Sequence, residues 1–336
     1  MASVVHSDDG PTPSPPPSGT NDGKSRPPGG LEGGARATAD PRDSKLEMAE
    51  EGRREDKLPR LTLAEEVLLL GIQDKKGYLS FWNDDVSYAL RACILMELAL
   101  QRRIGILYNP QPTPLEQRMV TVLSTLPTGD PLLDEALMMI KKTEDAGERM
   151  NTRTWVDYLS GETWNFRKVP FQLKQVRERI CEGLVQKGVL GTGTRNFFIF
   201  DMITHPVIDT NSKTRIISRL NALLITSTST VVSAATALVE EGTQCALLRT
   251  VCLAGAAYKG RVMDSVFAPL LAQAYTARML CDEILREFGA WPFGRTEGAQ
   301  ERVRWLVGRA REESTDGEKD RAFELVAAVL EMLSKL

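Results

Sequence analysis

Basic and aromatic side chains, not acid–base pairs, are the residues of this sequence best suited to bind a ligand. Arg91 lies in the middle of a strongly apolar stretch, residues 81–102, and an arginine is costly to bury without a partner. It therefore either pairs with a carboxylate inside the fold or reaches a rim where an anion docks, and the residues alone leave both open. Lys174 and Arg177 are three apart in a helical pattern, which predicts that they project from one side of one helix. Trp82 directly precedes the first turn of the apolar stretch, where the core does not require a tryptophan.

The residues needed for catalysis or for a metal centre are scarce. The chain has two histidines, His6 and His205, and its cysteines form no CxxC pair, so we expect no zinc site and no cofactor. There is no Walker loop, GxGxxG, nucleophile elbow or paired-carboxylate pattern, and we predict that the protein is not an enzyme. The five cysteines are typical of small buried residues in a reducing compartment: Cys93, Cys181, Cys245, Cys252 and Cys281.

The elements that must position these side chains are predicted to be mostly helices. Residues 86–100 are apolar on almost every face of a helix, which indicates a central helix that other helices cover on all sides. Thr62 and Glu65 have the spacing of a capping box at the start of an earlier helix, and Asp130-Pro131 begins a later one. Further helices are predicted at 153–161, 244–257, 264–287, 299–311 and 319–335.

A few short strands complete the prediction. Residues 78–81 are predicted to form a short strand, and residues 104–108 pair with 118–123 in a small sheet. The uncharged segment 221–239 is too rich in Ser and Thr to span a membrane readily and is interpreted as a loop followed by a buried helix.

A helix followed by a hairpin is predicted between residues 171 and 200. An apolar stripe that ends at Gly188 indicates the helix, and GTGTRN is interpreted as the turn between strands at 189–190 and 197–200. Helix-then-hairpin is also the plan of a winged-helix module, so a nucleic-acid or protein-interaction module is the alternative function. Glu178 and Glu182 on the candidate recognition helix argue against nucleic acid as a partner.

Composition divides the chain in two. Residues 1–58 are dense in Pro, Gly, Ser and charge and are predicted to be a disordered tail without the apolar core of a signal peptide, which favours the cytosol. Residues 59–336 are predicted to form one compact helical domain. Residues 57–336 hold 35 Lys or Arg against 34 Asp or Glu, so this domain can bind an anion only through a local basic patch.

Several strings in the chain resemble the Golgi phosphoprotein 3 family. In order, they are LTLAEEVLLLG (61–71), GYLSFWND (77–84), PTGDPLLDEAL (127–137), LSGETWN (159–165), VRERICEGLVQKGVL (176–190), NFFIFDMITHP (196–206) and VFAPLL (266–271). The resemblance implies a mostly α-helical, single-domain peripheral protein on the cytosolic face of Golgi membranes, which exchanges with the cytosol and binds phosphatidylinositol 4-phosphate. It also implies that the protein retains or recycles Golgi glycosyltransferases by linking their cytoplasmic tails to coatomer, and that it forms homo-oligomers.

The resemblance also assigns roles to particular residues. The lipid head group is implied to lie among Trp82, Arg91, Lys174 and Arg177, which makes a ligand the preferred interpretation of Arg91. The hairpin, with Val189, Leu190, Phe197 and Phe198, is implied to serve self-association and membrane contact. The tail shows no clear arginine cluster for coatomer, so that contact is expected to shift to Arg53, Arg54 and Arg60.

Overall fold

A buried helix at the centre of the domain organises the fold. The computed structural model describes residues 60–79, 84–111, 113–160, 171–197, 200–225, 243–294 and 298–336, with only the backbone given for 196, 197 and 200–202. The predicted tail at 1–58, Trp82 and Phe198 lie outside the described residues, and the division of the chain at residue 58 stays a prediction.

Helices make up most of the described chain, in agreement with the apolar periodicity of the sequence. They are α1 (Leu63–Gly71), α2 (Asp84–Leu100), α3 (Pro131–Asp145), α4 (Thr152–Ser160), α5 (Val176–Gln186), α6 (Thr210–Ile225), α7 (Ala246–Lys259), α8 (Asp264–Phe267), α9 (Ala274–Phe288), α10 (Glu301–Glu312) and α11 (Arg321–Ser334). The strands β1 (Ile104–Ile106) and β2 (Val120–Val122) pair antiparallel, as do β3 (Gly193–Phe197) and β4 (Phe200–Thr204).

Helix α2 is the predicted central helix. Fourteen of its 17 residues are buried, because α1, α4, α7 and α11 pack around it. Glu97 of α2 forms an ion pair with Arg249 of α7, and Glu66 of α1 forms one with Arg219 of α6. All four of these side chains are buried, so each of these four buried charges is matched by its opposite.

Side-chain caps fix where helices begin. The Thr62 Oγ1 accepts from the Glu65 amide at 3.4 Å while the Glu65 Oε2 accepts from the Thr62 amide at 2.7 Å, which confirms the capping box. Asp130 accepts from the Leu132 amide at 2.8 Å and confirms the predicted start of α3.

The starts and ends of several helices meet at one end of the helical bundle. Because Arg249 pairs with Glu97 and Arg261 pairs with Asp85, α7 runs antiparallel to α2 and ends where α2 begins. Gly71, at the end of α1, contacts Val262 just beyond α7. We call this region the Asp85 end, defined by the start of α2 and the ends of α1 and α7.

The base of the β3–β4 hairpin is attached at the Asp85 end. The loop that joins α1 to α2 pairs with the chain just after β4: the His205 amide donates to the Gly77 carbonyl oxygen at 2.7 Å, and the Val207 amide donates to the Asp74 carbonyl oxygen at 3.0 Å. Beside this contact, Gly77 has a φ of 70°, a backbone conformation that favours glycine. The hairpin therefore starts from the same end of the bundle as α2.

Two predicted strands differ from the structure. Among described residues 78–79, only Leu79 pairs, in a single bridge with Ile72. The Tyr78 carbonyl oxygen accepts from the Gln73 amide within the loop, and Gly77 and Asp74 bond to residues 205–207. GTGTRN is not a turn: its last four residues lie in β3, and the chain reverses between Phe197 and Phe200. Val189 and Leu190 do pair as the sequence predicted, but with the chain after β4: Leu190 forms an antiparallel bridge with Val207, and the Ile208 amide donates to the Val189 carbonyl oxygen at 2.9 Å.

Two predicted helices also differ. The segment predicted as one helix at 264–287 is broken between α8 and α9, where Pro269 and the non-helical Leu271 lie in a 3-10 turn. Residues 221–225, predicted as loop, continue α6, because Ala222, Leu223 and Leu224 extend its buried face. The rest of the segment predicted as loop and buried helix, residues 226–239, lies outside the described residues.

The cysteines and the helix lengths bear on function. All five cysteines are free; Cys93, Cys181, Cys252 and Cys281 are buried and Cys245 is half-buried. No helix in the described part of the chain combines the length and apolar character needed to cross a membrane. Within the same residues, no group of three or more His, Cys, Asp or Glu side chains is arranged to hold a metal ion.

Candidate anion-binding site

Arg91 lies two turns into α2 and is only 7% exposed. Its Nη1 donates to the Ser87 hydroxyl oxygen at 2.7 Å and to the Ser87 carbonyl oxygen at 3.2 Å. Its Nε donates to the Leu159 carbonyl oxygen, at the end of α4, at 3.4 Å. These three acceptors are neutral oxygens, and together they fix the orientation of the guanidinium.

The Leu159 carbonyl oxygen links Arg91 to the segment that carries the other predicted cations. It accepts a second hydrogen bond, from the Leu173 amide at 3.1 Å. Phe171 holds the same segment on α4 by stacking on Tyr158, with ring centroids 5.8 Å apart, and by an edge contact with Trp155 at 6.0 Å. One backbone oxygen therefore joins α2, α4 and the entry to α5.

Lys174 and Arg177 are not on one helix, which corrects the prediction from their spacing. Gln175, with a left-handed φ of 52°, precedes the first residue of α5, so Lys174 lies in the turn before the helix and Arg177 in its first turn. The left-handed residue resets the backbone direction, and a three-residue spacing therefore does not place the two side chains on one face. Both side chains are exposed.

The start of α5 adds backbone donors to these cations. Gln175, the residue before α5, makes no side-chain hydrogen bond to the first amide groups, although the Glu178 carboxylate accepts from its own amide in the first turn. The positive end of the helix dipole also favours a negative charge there. An anion at this position would meet amide groups and basic side chains together. A helix start alone is a weak attractor, and here the neighbouring cations are what make it a candidate site.

Glu178 is the carboxylate that balances part of this charge. The Arg177 Nε donates to the Glu178 Oε1 at 3.0 Å. Burial alone raises the pKa of Glu178, but the hydrogen bond from Arg177 and the positive charges of Arg177 and Arg91 outweigh it, so the pKa is lower than usual. Glu178 is therefore ionised at neutral pH. Arg91, Lys174, Arg177 and Glu178 together retain a surplus of two positive charges.

The arrangement suits a phosphate group. Arginine forks and a lysine supply charge-assisted hydrogen bonds to phosphate oxygens, and the surplus charge matches that of a phosphomonoester. The sequence did not single out the Leu159 carbonyl oxygen, which carries no side-chain signal, or Glu178 as a partner of Arg177. Trp82 lies outside the described residues, two positions before the start of α2.

The other residues assigned to self-association and membrane contact divide between core and hairpin. Val189 and Leu190 are buried in the domain, before β3 begins. Phe197 is the last residue of β3, and only its backbone is described. The exposed apolar side chain of the hairpin that the sequence analysis missed is Ile203 on β4, which is 66% exposed. The role of the hairpin stays a prediction.

The surface of α5 bears on the winged-helix alternative. Its exposed side chains include Arg177, Glu182 and Gln186, one basic, one acidic and one neutral. A recognition helix for nucleic acid presents a basic face to the phosphates. The described face of α5 gives this alternative no support.

Comparison with known proteins identifies relatives over most of the chain. The sequence matches the family model described as Golgi phosphoprotein 3 (GPP34) over residues 63–310, which includes every described residue of the candidate site. It is 40% identical over 301 residues to vacuolar protein sorting-associated protein 74 of Schizosaccharomyces pombe, covering 88% of this chain and 86% of that protein. The protein of the same name from Eremothecium gossypii is 40% identical over 305 residues, which is 88% of each chain.

Proposed function

The chain belongs to the Golgi phosphoprotein 3 family, and from that membership we propose that it is a peripheral adaptor on the cytosolic face of Golgi membranes that binds phosphatidylinositol 4-phosphate. The names of its family and relatives place it with Golgi-associated proteins and with protein sorting. We propose that it acts by binding and not by catalysis.

The observation that carries the lipid proposal is the link through the Leu159 carbonyl oxygen. This oxygen accepts from both Arg91 and Leu173, so a buried cation and the segment leading to Lys174 and Arg177 meet at one point. The formal charges of Arg91, Lys174, Arg177 and Glu178 sum to two positive charges, in a domain that is nearly neutral overall. A phosphorylated inositol ring supplies a matching charge on a membrane surface.

The proposed cargo and coat partners also rest on membership of the Golgi phosphoprotein 3 family. We propose that the protein holds the cytoplasmic tails of Golgi glycosyltransferases and links them to coatomer, which retains or recycles these enzymes in retrograde carriers. One basic pocket gives only modest residence on a membrane, so recruitment of this kind needs further contacts. Self-association and the β3–β4 hairpin are the contacts that the family resemblance suggests.

Vesicle flotation tests the lipid site. We expect the protein to float much more strongly with vesicles that contain phosphatidylinositol 4-phosphate than with vesicles that contain phosphatidylinositol. The variant Lys174→Ala plus Arg177→Ala removes two exposed cations and is expected to lose this binding while circular dichroism shows an intact fold. Arg91 is less useful as a first test because it is buried and also holds the end of α4.

The matched control is Arg304→Ala plus Arg309→Ala. It removes the same charge from two exposed positions on α10 and should bind as the wild type does. If the folded Lys174 and Arg177 variant floats like the wild type, the site assignment is wrong. If the wild type does not distinguish the two lipids, the lipid proposal itself is wrong.

A further inference from the structure

An exposed apolar ridge lies at the start of α9, separate from the candidate anion site and from the β3–β4 hairpin. Leu271 is 83% exposed, Tyr275 73% and Met279 50%. The three residues follow one another at intervals of four, and Tyr275 and Met279 lie on the face of α9 opposite the buried residues Ala277 and Leu280. The first two turns of this helix are therefore apolar on both sides, although only one side packs on the core.

The backbone at Leu271 keeps the ridge in solvent. Its φ of 47° and ψ of −115° lie in a region that leucine rarely adopts, and this conformation breaks the helical path between α8 and α9. A leucine at such a position usually turns into the core, where it contributes hydrophobic stabilisation. Here the neighbouring Leu270 is buried and Leu271 is presented outward.

The ridge projects beyond the Asp85 end. Helices α7 and α9 run antiparallel, since Gly255 faces Leu285 and the Tyr258 hydroxyl donates to the Asp282 carboxylate at 3.0 Å. Tyr275 is seven residues before Asp282, which is at the level of Tyr258. Along the axis of α9, Tyr275 therefore lies about 10 Å beyond Tyr258. Because α7 ends one residue after Tyr258, the ridge extends past the end of α7. This is the side of the bundle on which α2 begins and Arg91 lies.

Few charged side chains lie within the ridge, and the nearest of them is a cation. Over residues 268–279, APLLAQAYTARM, the only charged side chain is Arg278, in a chain that is 26% charged. The Arg278 guanidinium lies 4.2 Å from the centre of the Phe267 ring, which holds this cation beside the ridge. Exposed charges further away include Arg261, which is paired to Asp85, Asp264, and Asp282 and Arg286 later on α9.

From this geometry we infer that the ridge formed by Leu271, Tyr275 and Met279 inserts into the interfacial layer of an anionic bilayer, as a second membrane contact beside the head-group site. This inference rests on the proposed function, because it places the lipid surface at the Asp85 end. Tyrosine and arginine are favoured at the boundary between head groups and acyl chains, and leucine and methionine supply apolar area below it.

The test compares one triple variant with a matched one. Leu271→Gln, Tyr275→Gln, Met279→Gln removes the ridge. Leu126→Gln, Tyr108→Gln, Met138→Gln removes the same residue types from positions that are 65%, 76% and 45% exposed and are scattered over separate elements. A third, conservative variant, Leu271→Met, Tyr275→Phe, Met279→Leu, keeps the apolar area. Circular dichroism establishes that each is folded.

Three measurements separate the outcomes. Binding is measured to phosphatidylcholine–phosphatidylserine vesicles with and without phosphatidylinositol 4-phosphate and to the soluble head group glycerophosphoinositol 4-phosphate, and light scattering gives the mass in solution. We expect the ridge variant to bind both kinds of vesicle about tenfold more weakly, with unchanged affinity for the soluble head group. The control and conservative variants should bind as the wild type does.

The two proposals fail in different ways. If the wild type ignores the soluble head group yet the ridge variant loses affinity for vesicles without the phosphoinositide, the head-group site is wrong and the ridge stands. If the folded ridge variant binds vesicles like the wild type, the inference is overturned. The inference is also overturned if the ridge variant binds vesicles normally but has a lower mass in solution, since the ridge is then an interface between copies of this chain. It is likewise overturned if the wild type binds no vesicles.

Discussion

Glu97 and Arg249 form a bidentate ion pair in the core, with 2.9 Å from Arg249 Nη1 to Glu97 Oε1 and 2.9 Å from Arg249 Nη2 to Glu97 Oε2. The same arginine donates to the Leu61 carbonyl oxygen at 2.7 Å, and the same carboxylate accepts from the Leu63 amide at 2.9 Å. The pair therefore joins α2 and α7 and also holds the start of α1. Its hydrogen bonds offset the cost of burying two charges.

Breaking this pair from one side should destabilise the domain strongly. We expect Arg249→Met to lower the free energy of unfolding by about 3–5 kcal/mol, because it leaves Glu97 charged and buried. The double variant Arg249→Met, Glu97→Gln should lose less than the single one, and urea denaturation measures both. Arg309→Met is the control, since the pair of Arg309 with Glu312 is exposed and contributes about 1 kcal/mol at most. Equal losses for Arg249→Met and Arg309→Met would contradict the role of the buried pair.

The same pair predicts a dependence of stability on pH. Burial alone raises the pKa of Glu97, but the charge and hydrogen bonds of Arg249 outweigh it, so the pKa lies below its ordinary value of 4.5. A lowered pKa means that the stabilisation is present above pH 4.5 and is lost as pH falls through the lower pKa of the folded state. Urea midpoints below pH 4.5 should therefore fall more steeply for the wild type than for the double variant. Parallel pH profiles would show that Glu97 does not contribute.

The loop between α1 and α2 depends on a glycine. A Cβ on Gly77 would lie 2.5 Å from the Pro206 nitrogen and 2.6 Å from the His205 backbone, and the φ of 70° disfavours any side chain. We expect Gly77→Ala to cost more than about 2 kcal/mol, from the strain and the backbone clash together. Gly147→Ala is the control, because Gly147 has a φ of 81° but nothing within 4 Å, and it should cost about 1 kcal/mol. Thermal unfolding measures both, and similar losses would contradict the clash.

Glu178 should limit the affinity of the candidate anion site. Replacing it as Glu178→Gln frees Arg177 from its ion pair and leaves one more positive charge near the head group. We expect binding to vesicles with phosphatidylinositol 4-phosphate to strengthen about fivefold, from roughly 1 kcal/mol of added attraction. Glu182→Gln changes the net charge equally on an exposed position of the same helix and should have a smaller effect. An equal gain for both would indicate a general charge effect instead of a site.

The features that could be predicted from the sequence are those set by neighbours along the chain. The burial of α2 follows from its apolar residues, and the starts of α1 and α3 follow from side chains that hydrogen-bond two or three residues away. Arg91 was also singled out correctly as a charge inside an apolar helix, and the structure shows it held by Ser87 and Leu159.

The features that could not be predicted depend on backbone groups distant in sequence. The Leu159 carbonyl oxygen meets Arg91 across 68 positions. The turn of the β3–β4 hairpin was misplaced because glycines indicate a turn but do not fix the register, which depends on how residues 205–207 pair with the loop around Gly77. Lys174 and Arg177 were assigned to one helix because periodicity does not reveal a left-handed residue such as Gln175.

The buried free cysteines allow the opening of the domain to be measured from the rate at which their thiols react. Cys93 and Cys252 have no exposed surface and lie beside the Glu97–Arg249 pair, whereas Cys245 is half-buried and has a pKa that burial raises to about 11. A thiol is alkylated only when it reaches solvent as a thiolate, so the two core cysteines become labelled only when the helices around α2 separate. Their rate of labelling by an added alkylating reagent thus records how often the centre of the protein opens under native conditions, without an engineered cysteine.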